Sequence, residues 1–190
     1  FIAKAPWVLI FLADVQRQMD FFAYSGVPEM CQAHDISYRT PQEADLMLAC
    51  CDALAAAQTT VLAAEAIGLG SCYIGDIMEN YEIHCELLNL PRYVFPIAML
   101  CLGHPDRELS ERTRTTRFDQ EFILFKDGYR RLEADDFQRM YAREEASGHQ
   151  LRNTANGAEN IGQAIYLRKF AADFTVEMAR SVRVMLDNWK

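Results

Sequence analysis

The alternation of apolar and polar positions predicts a sheet packed with helices. Continuous apolar runs at residues 7–13 and 94–102 are typical of strands buried on both faces. Residues 71–75 are extended by composition, and residues 122–125 are expected to form a further short strand. Because helical segments separate these strands, the order of elements predicts a layered α+β protein.

The strongest single signal is a long apolar helix in the first half of the chain. Thr40, Pro41 and Glu43 form a predicted helix start, with a hydroxyl N-cap, a proline at the first helical position and a glutamate closing the capping box. From Pro41 to Ile67 the segment is rich in alanine and apolar nearly all round. Such a helix has too few partners within one short chain, so we expect it at a subunit interface.

The remaining segments predict smaller elements. Residues 15–39 have weak periodicity and favour a loop or short helices, and helices are expected over 80–90 and 133–146. Residues 149–160 form a polar linker, after which Asn160 is expected to cap one last helix that continues to Trp189.

Composition and charge limit the classes of function. The chain has 190 residues, is 51% hydrophobic and carries a formal net charge of −8, the wrong sign for gripping nucleic acid or an anionic membrane. Asp52, Gln58 and Glu65 interrupt the longest apolar stretch, so no membrane span is expected. The six cysteines lie mostly in apolar stretches, without a C-x-x-C pair, which is typical of reduced thiols in a cytoplasmic protein.

Isolated charged residues give two candidate sites. Asp14, Glu65 and Asp76 border apolar segments and could place carboxylates in a cleft, although capping and turn roles explain them equally well. Residues 106–117 hold four arginines, which would suit a phosphate monoester, and a solvated loop is the alternative. Histidine and cysteine show no metal-ligand spacing, so no metal site is expected.

One passage resembles a known family. Residues 63–75, AAEAIGLGSCYIG, are similar to the A-A-E-x-x-G-L-G-x-x-Y-I-G signature of the nitroreductase family of FMN-dependent oxidoreductases. Residues 87–91 (LLNLP), 95–96 (FP) and 102–105 (LGHP) are similar to the helix, strand and turn that follow in that family. The match extends over residues 1–129, with the same features in the same order.

The resemblance implies a nitroreductase-like three-layer α/β/α sandwich with a central, mostly antiparallel sheet, in an intertwined homodimer. Residues 1–148 would form the FMN-binding domain, and residues 149–190 would be a linker and a C-terminal helical arm. The family's arginine-rich N-terminal motif has no counterpart before Phe1. We therefore expect the N-terminal part of the family domain to be missing from this sequence.

In the family FMN lies between the two subunits, which implies a cofactor site in this chain. The residues implied to lie against the polar edge of the flavin ring are Tyr73, Ile74, Gly75 and Asp76. Arg117 falls where related sequences place a basic residue on the FMN phosphate, and Arg114 is a second candidate for that role.

The implied activity is oxidation of NADH or NADPH followed by reduction of a nitroaromatic, quinone or similar small acceptor in the same cleft. Because the cofactor carries the chemistry, no side chain is expected to act as a nucleophile or obligatory acid. Two alternatives stay open: a dehalogenase-type relative on the same fold, and a flavin-binding or structural dimer without turnover.

Overall fold

The computed structural model describes residues 2–105, 117–147 and 157–189, and these residues contain a three-stranded sheet. The strands are β1 (Trp7–Asp14), β2 (Gly70–Ile74) and β3 (Val94–Gly103), in the order β1-β3-β2. Since β3 pairs antiparallel with both neighbours, the expected α+β fold with an antiparallel sheet is confirmed.

Helices precede, separate and follow the strands. Those of the described residues are α1 (Gln16–Tyr24), α2 (Val27–Ala33), α3 (Glu43–Ala66), α4 (Tyr81–Leu88), α5 (Ala134–Ser147), α6 (Ile161–Ile165) and α7 (Asp173–Trp189). The contacts within the chain divide it into two units. The sheet unit comprises Phe1–Asp106 and Glu177–Lys190, and the helical unit comprises Arg107–Val176. The predicted domain boundary at residue 148 lies outside the described residues and stays a prediction.

The position of β1 corrects one expectation from the sequence. We expected this strand to be buried on both faces, but Trp7 is 49% exposed and Val8 and Leu9 are exposed as well. In the part of the chain that the structure describes, β1 is an edge strand, so fewer neighbouring side chains cover its faces than cover those of the central β3. Burial begins at Ala13, at the other end of the strand.

The start of α3 differs from the predicted one by two residues. Gln42, rather than Thr40, is the N-cap, and its N–H donates a hydrogen bond to the carboxylate of Asp45 at 2.8 Å. Arg39 also donates two hydrogen bonds to that carboxylate, which lowers the pKa of Asp45 to about 2. The Asp45 carboxylate accepts hydrogen bonds both from the backbone of the N-cap residue and from Arg39. Because this acceptor is charged, it stabilises the helix start more than the hydroxyl cap expected at Thr40 would.

Most of the surface of α3 is left uncovered by the described residues. This helix is long and apolar enough to cross a membrane by length and composition, so Asp52 and Glu65 do not by themselves exclude a span. Only 17% of its most apolar window is buried. The large apolar side chains exposed on it are Met47, Leu48, Leu54 and Leu62.

The core of the sheet unit forms where three helices meet the strands. Leu46 of α3, Tyr81 of α4 and Trp189 of α7 are buried in one cluster with Phe95 of β3. The indole N–H of Trp189 donates a hydrogen bond to the carbonyl of Gln42 at 3.1 Å. The end of α7 is thereby fastened to the start of α3.

Two elements of the helical unit differ from the sequence expectations. Residues 120–122 form a 3-10 helix instead of a strand, and the Leu124 N–H donates to the Gln120 carbonyl at 2.8 Å, a local bond that no partner strand could share. Asn160 caps α6 as expected, since its side chain accepts from the Gln163 N–H. The single helix expected beyond it is wrong, because a π-helical turn at Tyr166–Phe170 and two bent residues separate α6 from α7.

Candidate functional site

The candidate site begins where the edge strand β2 ends. Ile74 is the last residue of the strand, Gly75 follows, and Asp76–Met78 form one turn of 3-10 helix. Ile74 and Ile77 are buried and anchor this turn, whereas Tyr73 is 42% exposed. The four residues Tyr73–Asp76 are called here the β2 turn. Three of them, Tyr73, Gly75 and Asp76, are exposed, and the buried side chain of Ile74 fixes the position of the turn.

Gly75 leaves open space beside the backbone of the β2 turn. A β-carbon built at this position meets no atom of the described residues within 4 Å. Its φ of −81° is one that any residue adopts, so the local conformation does not require glycine. The space itself is the notable feature, because a planar group could approach the chain closely there.

Carboxylates border the β2 turn on its C-terminal side. Burial raises the pKa of Glu79, and the nearby carboxylates of Asp76 and Glu177 raise it further. Glu177 also accepts a hydrogen bond from the Asn80 N–H at 3.1 Å. This edge of the site is thus negative and would repel an anionic group.

Helix α7 holds the segment that follows the β2 turn. The Tyr81 N–H donates to the buried Ser181 hydroxyl at 3.0 Å, and Arg180 forms ion pairs with Glu82 and Glu177. The first N–H groups of α4 therefore have partners from a helix about a hundred residues later in the chain. Glu79, Glu177 and Ser181 could not be predicted as site residues, because no local signal in the sequence links α4 to α7.

Arg117, the first of the two predicted arginines, belongs to the helical unit. Arg117 is exposed and lines a shallow depression with Asp119 and Arg143. Arg139, on the same rim, is engaged by the carboxylates of Glu121 and Asp136. Arg114 lies outside the described residues and stays a prediction.

The other sequence candidates have structural roles or no cluster around them. Asp14 precedes Val15, the N-cap of α1, and accepts a hydrogen bond from the Arg17 N–H in the first turn at 3.0 Å, so it supports the helix start as the structural interpretation expected. Glu65 is exposed on α3. Among the described residues, no three His, Cys, Asp or Glu side chains come together in a way that could hold a metal ion.

The fold and the β2 turn together define an α+β protein with an open backbone turn at the edge of an antiparallel sheet. The Nitroreductase family model matches residues 1–104, more than half of the chain. The chain belongs to the nitroreductase family, and the resemblance seen in residues 63–75 is thereby confirmed.

Individual relatives give the same result. The FMN reductase [NAD(P)H] of Bacillus subtilis (strain 168) is 31% identical over 169 residues, covering 86% of this chain and 62% of the relative. The oxygen-insensitive NADPH nitroreductase of Salmonella typhimurium is 36% identical over 134 residues, covering 70% of this chain and 48% of the relative. The chain thus spans about half to three fifths of the length of these relatives.

A solved structure is similar over nearly the whole chain. The structure of B. megaterium NfrA2 matches with a TM-score of 0.70 and 26% identity, covering 98% of this chain and 69% of that one. The similarity includes both the sheet unit and the residues after the family match, so the fold assignment does not rest on the β2 turn alone.

Proposed function

We propose that this chain is part of an FMN-dependent oxidoreductase that oxidises NADH or NADPH and reduces small acceptors such as nitroaromatics and quinones. The observation that carries the proposal is the β2 turn, whose Gly75 leaves open backbone space within the segment that matches the family. The names of its relatives, an FMN reductase and an NADPH nitroreductase, support the same reading.

The residues of the β2 turn fit a flavin ring. The backbone N–H and C=O groups of Tyr73, Ile74, Gly75 and Asp76 would bind its polar edge, and the space beside Gly75 would admit the ring. Bound FMN would supply the hydride-accepting chemistry that no side chain can supply. The chain's own task is to hold, orient and shield that group.

The negative charge beside the β2 turn favours the uncharged edge of the flavin ring there and disfavours the FMN phosphate. The carboxylates of Asp76, Glu79 and Glu177 make the border of the β2 turn unsuitable for a phosphate. The phosphate would instead bind guanidinium groups, for which Arg117 and Arg114 are the proposed residues.

The exposed apolar side of α3 supports a homodimer. Met47, Leu48, Leu54 and Leu62 would be costly to leave in water, and a second copy of this helix would cover them. We propose an obligate dimer with FMN between the subunits. Sedimentation should show no stable folded monomer at micromolar concentration, and flotation with lipid vesicles should fail. Flotation of the folded protein would mean that α3 meets a membrane instead.

The reducing cytoplasm is the proposed compartment. All six cysteines are free thiols, and two of them are exposed. Thiols in this state are usual where glutathione and thioredoxin keep proteins reduced.

The turnover proposal is tested by spectroscopy and kinetics on the purified protein. Flavin absorbance bands near ~370 and ~450 nm are expected, and anaerobic NADH or NADPH should bleach them. Because one cleft serves both substrates, double-reciprocal plots against acceptor concentration should be parallel. Intersecting lines would contradict this mechanism. Bleaching by dithionite alone would favour the flavin-binding dimer without turnover.

The place of the flavin is tested by a pair of glycine variants. Gly75→Ala puts a methyl group into the open space of the β2 turn, whereas Gly128→Ala puts one into open space in the helical unit. Neither variant should lower the thermal midpoint, since both β-carbons meet no atom of the described residues and neither glycine has a positive φ. Only Gly75→Ala should weaken FMN binding, on the order of tenfold or more. Equal FMN affinity in the two variants would remove the β2 turn from the site.

A further inference from the structure

Two cysteines face each other across neighbouring strands, although they are 29 positions apart in the sequence. Cys72 of β2 and Cys101 of β3 are direct partners in the antiparallel register. Directly opposed residues of an antiparallel pair project from the same face of the sheet. Opposed residues of an antiparallel pair have Cα atoms about 4.5 or 5.5 Å apart, which is within the roughly 4.4–6.8 Å that a disulfide spans.

The two thiols differ in access to solvent. Cys72 is exposed, and its thiol donates a long hydrogen bond of 3.7 Å to the Tyr73 carbonyl. Cys101 is only 5% exposed. A dissolved reagent therefore reaches the thiol of Cys72 more readily than the buried thiol of Cys101.

We propose that Cys72 and Cys101 form a redox-modification site, in which a small disulfide converts the two thiols into an intramolecular disulfide. Cys72 is the residue attacked from solution, and Cys101 is the resolving thiol. The pair lies outside the β2 turn, and its chemistry needs no bound cofactor.

The reaction proceeds in two thiol–disulfide exchanges. The Cys72 thiolate attacks one sulfur of the small disulfide, whose S–S bond breaks as a mixed disulfide forms and one small thiolate leaves. Cys101 loses its proton to that thiolate or to water and attacks the Cys72 sulfur, which releases the second small thiolate. Two protein thiols are oxidised, and one small disulfide is reduced to two thiols.

The other neighbouring cysteines provide a comparison. Cys50 and Cys51 are adjacent on α3, where consecutive side chains point to different faces. Cys51 is exposed like Cys72, but it lies on a helix and has no cysteine opposite it as Cys72 has on β3. Modification at Cys51 should therefore stop at the mixed disulfide.

The proposed Cys72–Cys101 disulfide would lie next to the β2 turn. Cys72 lies three residues before Gly75, and within the described residues β2 is an edge strand that pairs with β3. A bond from Cys72 to Cys101 would tie the middle residue of β2 to β3, immediately before the β2 turn begins at Tyr73. An excess of a dithiol would release it.

The experiment treats the native protein with glutathione disulfide, blocks remaining thiols and maps the peptides by mass spectrometry. Wild type should yield a linked Cys72–Cys101 peptide that dithiothreitol separates. Cys101→Ala should instead retain glutathione on Cys72, and Cys72→Ser should lose the linked peptide. Cys51→Ser, the matched control, should link Cys72 and Cys101 as in wild type.

The wild-type map tests the proposal even where a variant fails to fold. A persistent glutathione adduct on wild-type Cys72 would show that Cys101 does not resolve it. A disulfide to another cysteine, a link between subunits or an unreactive Cys72 would equally overturn the proposal.

Discussion

The sheet unit and the helical unit are stabilised in different ways. Among the described residues, the buried apolar side chains of the helical unit are Phe122, Ile161 and Ala164, and all the others belong to the sheet unit. The helical unit instead buries a carboxylate, that of Asp136. Apolar burial therefore accounts for the cohesion of the sheet unit, and charge pairing has a larger share in the helical unit.

Asp136 is the centre of the polar contacts in the helical unit. Its carboxylate accepts hydrogen bonds from Arg130, from Arg139 and from the Glu133 N–H. Arg139 also pairs with Glu121. Such a network fixes geometry well but depends on every member being charged, so it should be more sensitive to pH than a hydrocarbon core.

The largest expected effect is a truncation in the core of the sheet unit. Trp189→Ala removes a side chain that is 1% exposed and donates to the Gln42 carbonyl, and the free energy of unfolding should fall by about 3–5 kcal/mol. Urea unfolding measures the loss. Tyr24→Ala, at an exposed aromatic residue of the same unit, should stay within about 0.5 kcal/mol of wild type. Similar losses in both variants would contradict a core centred on Trp189.

A second prediction concerns the part of the helical unit in cofactor binding. Arg117→Ala should raise the FMN dissociation constant on the order of tenfold or more, because a charge-assisted contact to the phosphate is lost. Isothermal titration with FMN measures it. Arg131→Ala, an exposed arginine of the same unit, should leave the constant unchanged.

The Arg117 titration also tests whether the helical unit contributes to FMN binding. An unchanged FMN dissociation constant in Arg117→Ala would mean that another arginine of residues 106–117, Arg114 or Arg112, binds the phosphate. A constant that responds to Gly75→Ala but to none of these arginines would confine FMN binding to the sheet unit.

The smallest expected effect is a pH dependence of the helical unit. Hydrogen bonding from Arg130 lowers the pKa of Asp136 from 3.8 to about 2. A lowered pKa stabilises the folded state above the unfolded value, so this contribution should be lost as pH falls from about 4 to about 2. The amide NMR signals of α5 should weaken over that range.

Two variants sharpen this pH prediction. Asp136→Asn should lower the stability of α5 near neutral pH and abolish the change between about pH 4 and pH 2, since the amide does not titrate. Asp135→Asn, an exposed neighbour on the same helix, should behave as wild type. Loss of α5 signals at the same pH in Asp136→Asn would assign the effect to other carboxylates.

Local patterns in the sequence were enough for much of the fold and part of the site. The apolar run at residues 94–102 predicted β3 almost to the residue, and the motif at 63–75 located β2 and the β2 turn. The alanine-rich stretch predicted α3, but the cap moved to Gln42 because Arg39 and Asp45 meet there. Which residue becomes the N-cap depends on side-chain contacts, and the residue types alone do not show which of these contacts form.

The sequence by itself determined the α+β class, the family and the position of the β2 turn, because these depend on periodicity and on motifs within a few residues. Only the tertiary structure decided which groups surround them. Glu177 and Ser181 meet the start of α4, and Cys101 faces Cys72, across separations of 29 to 100 positions. Such contacts follow from how helices dock and strands register, which are settled by the packing of the whole chain rather than by local sequence.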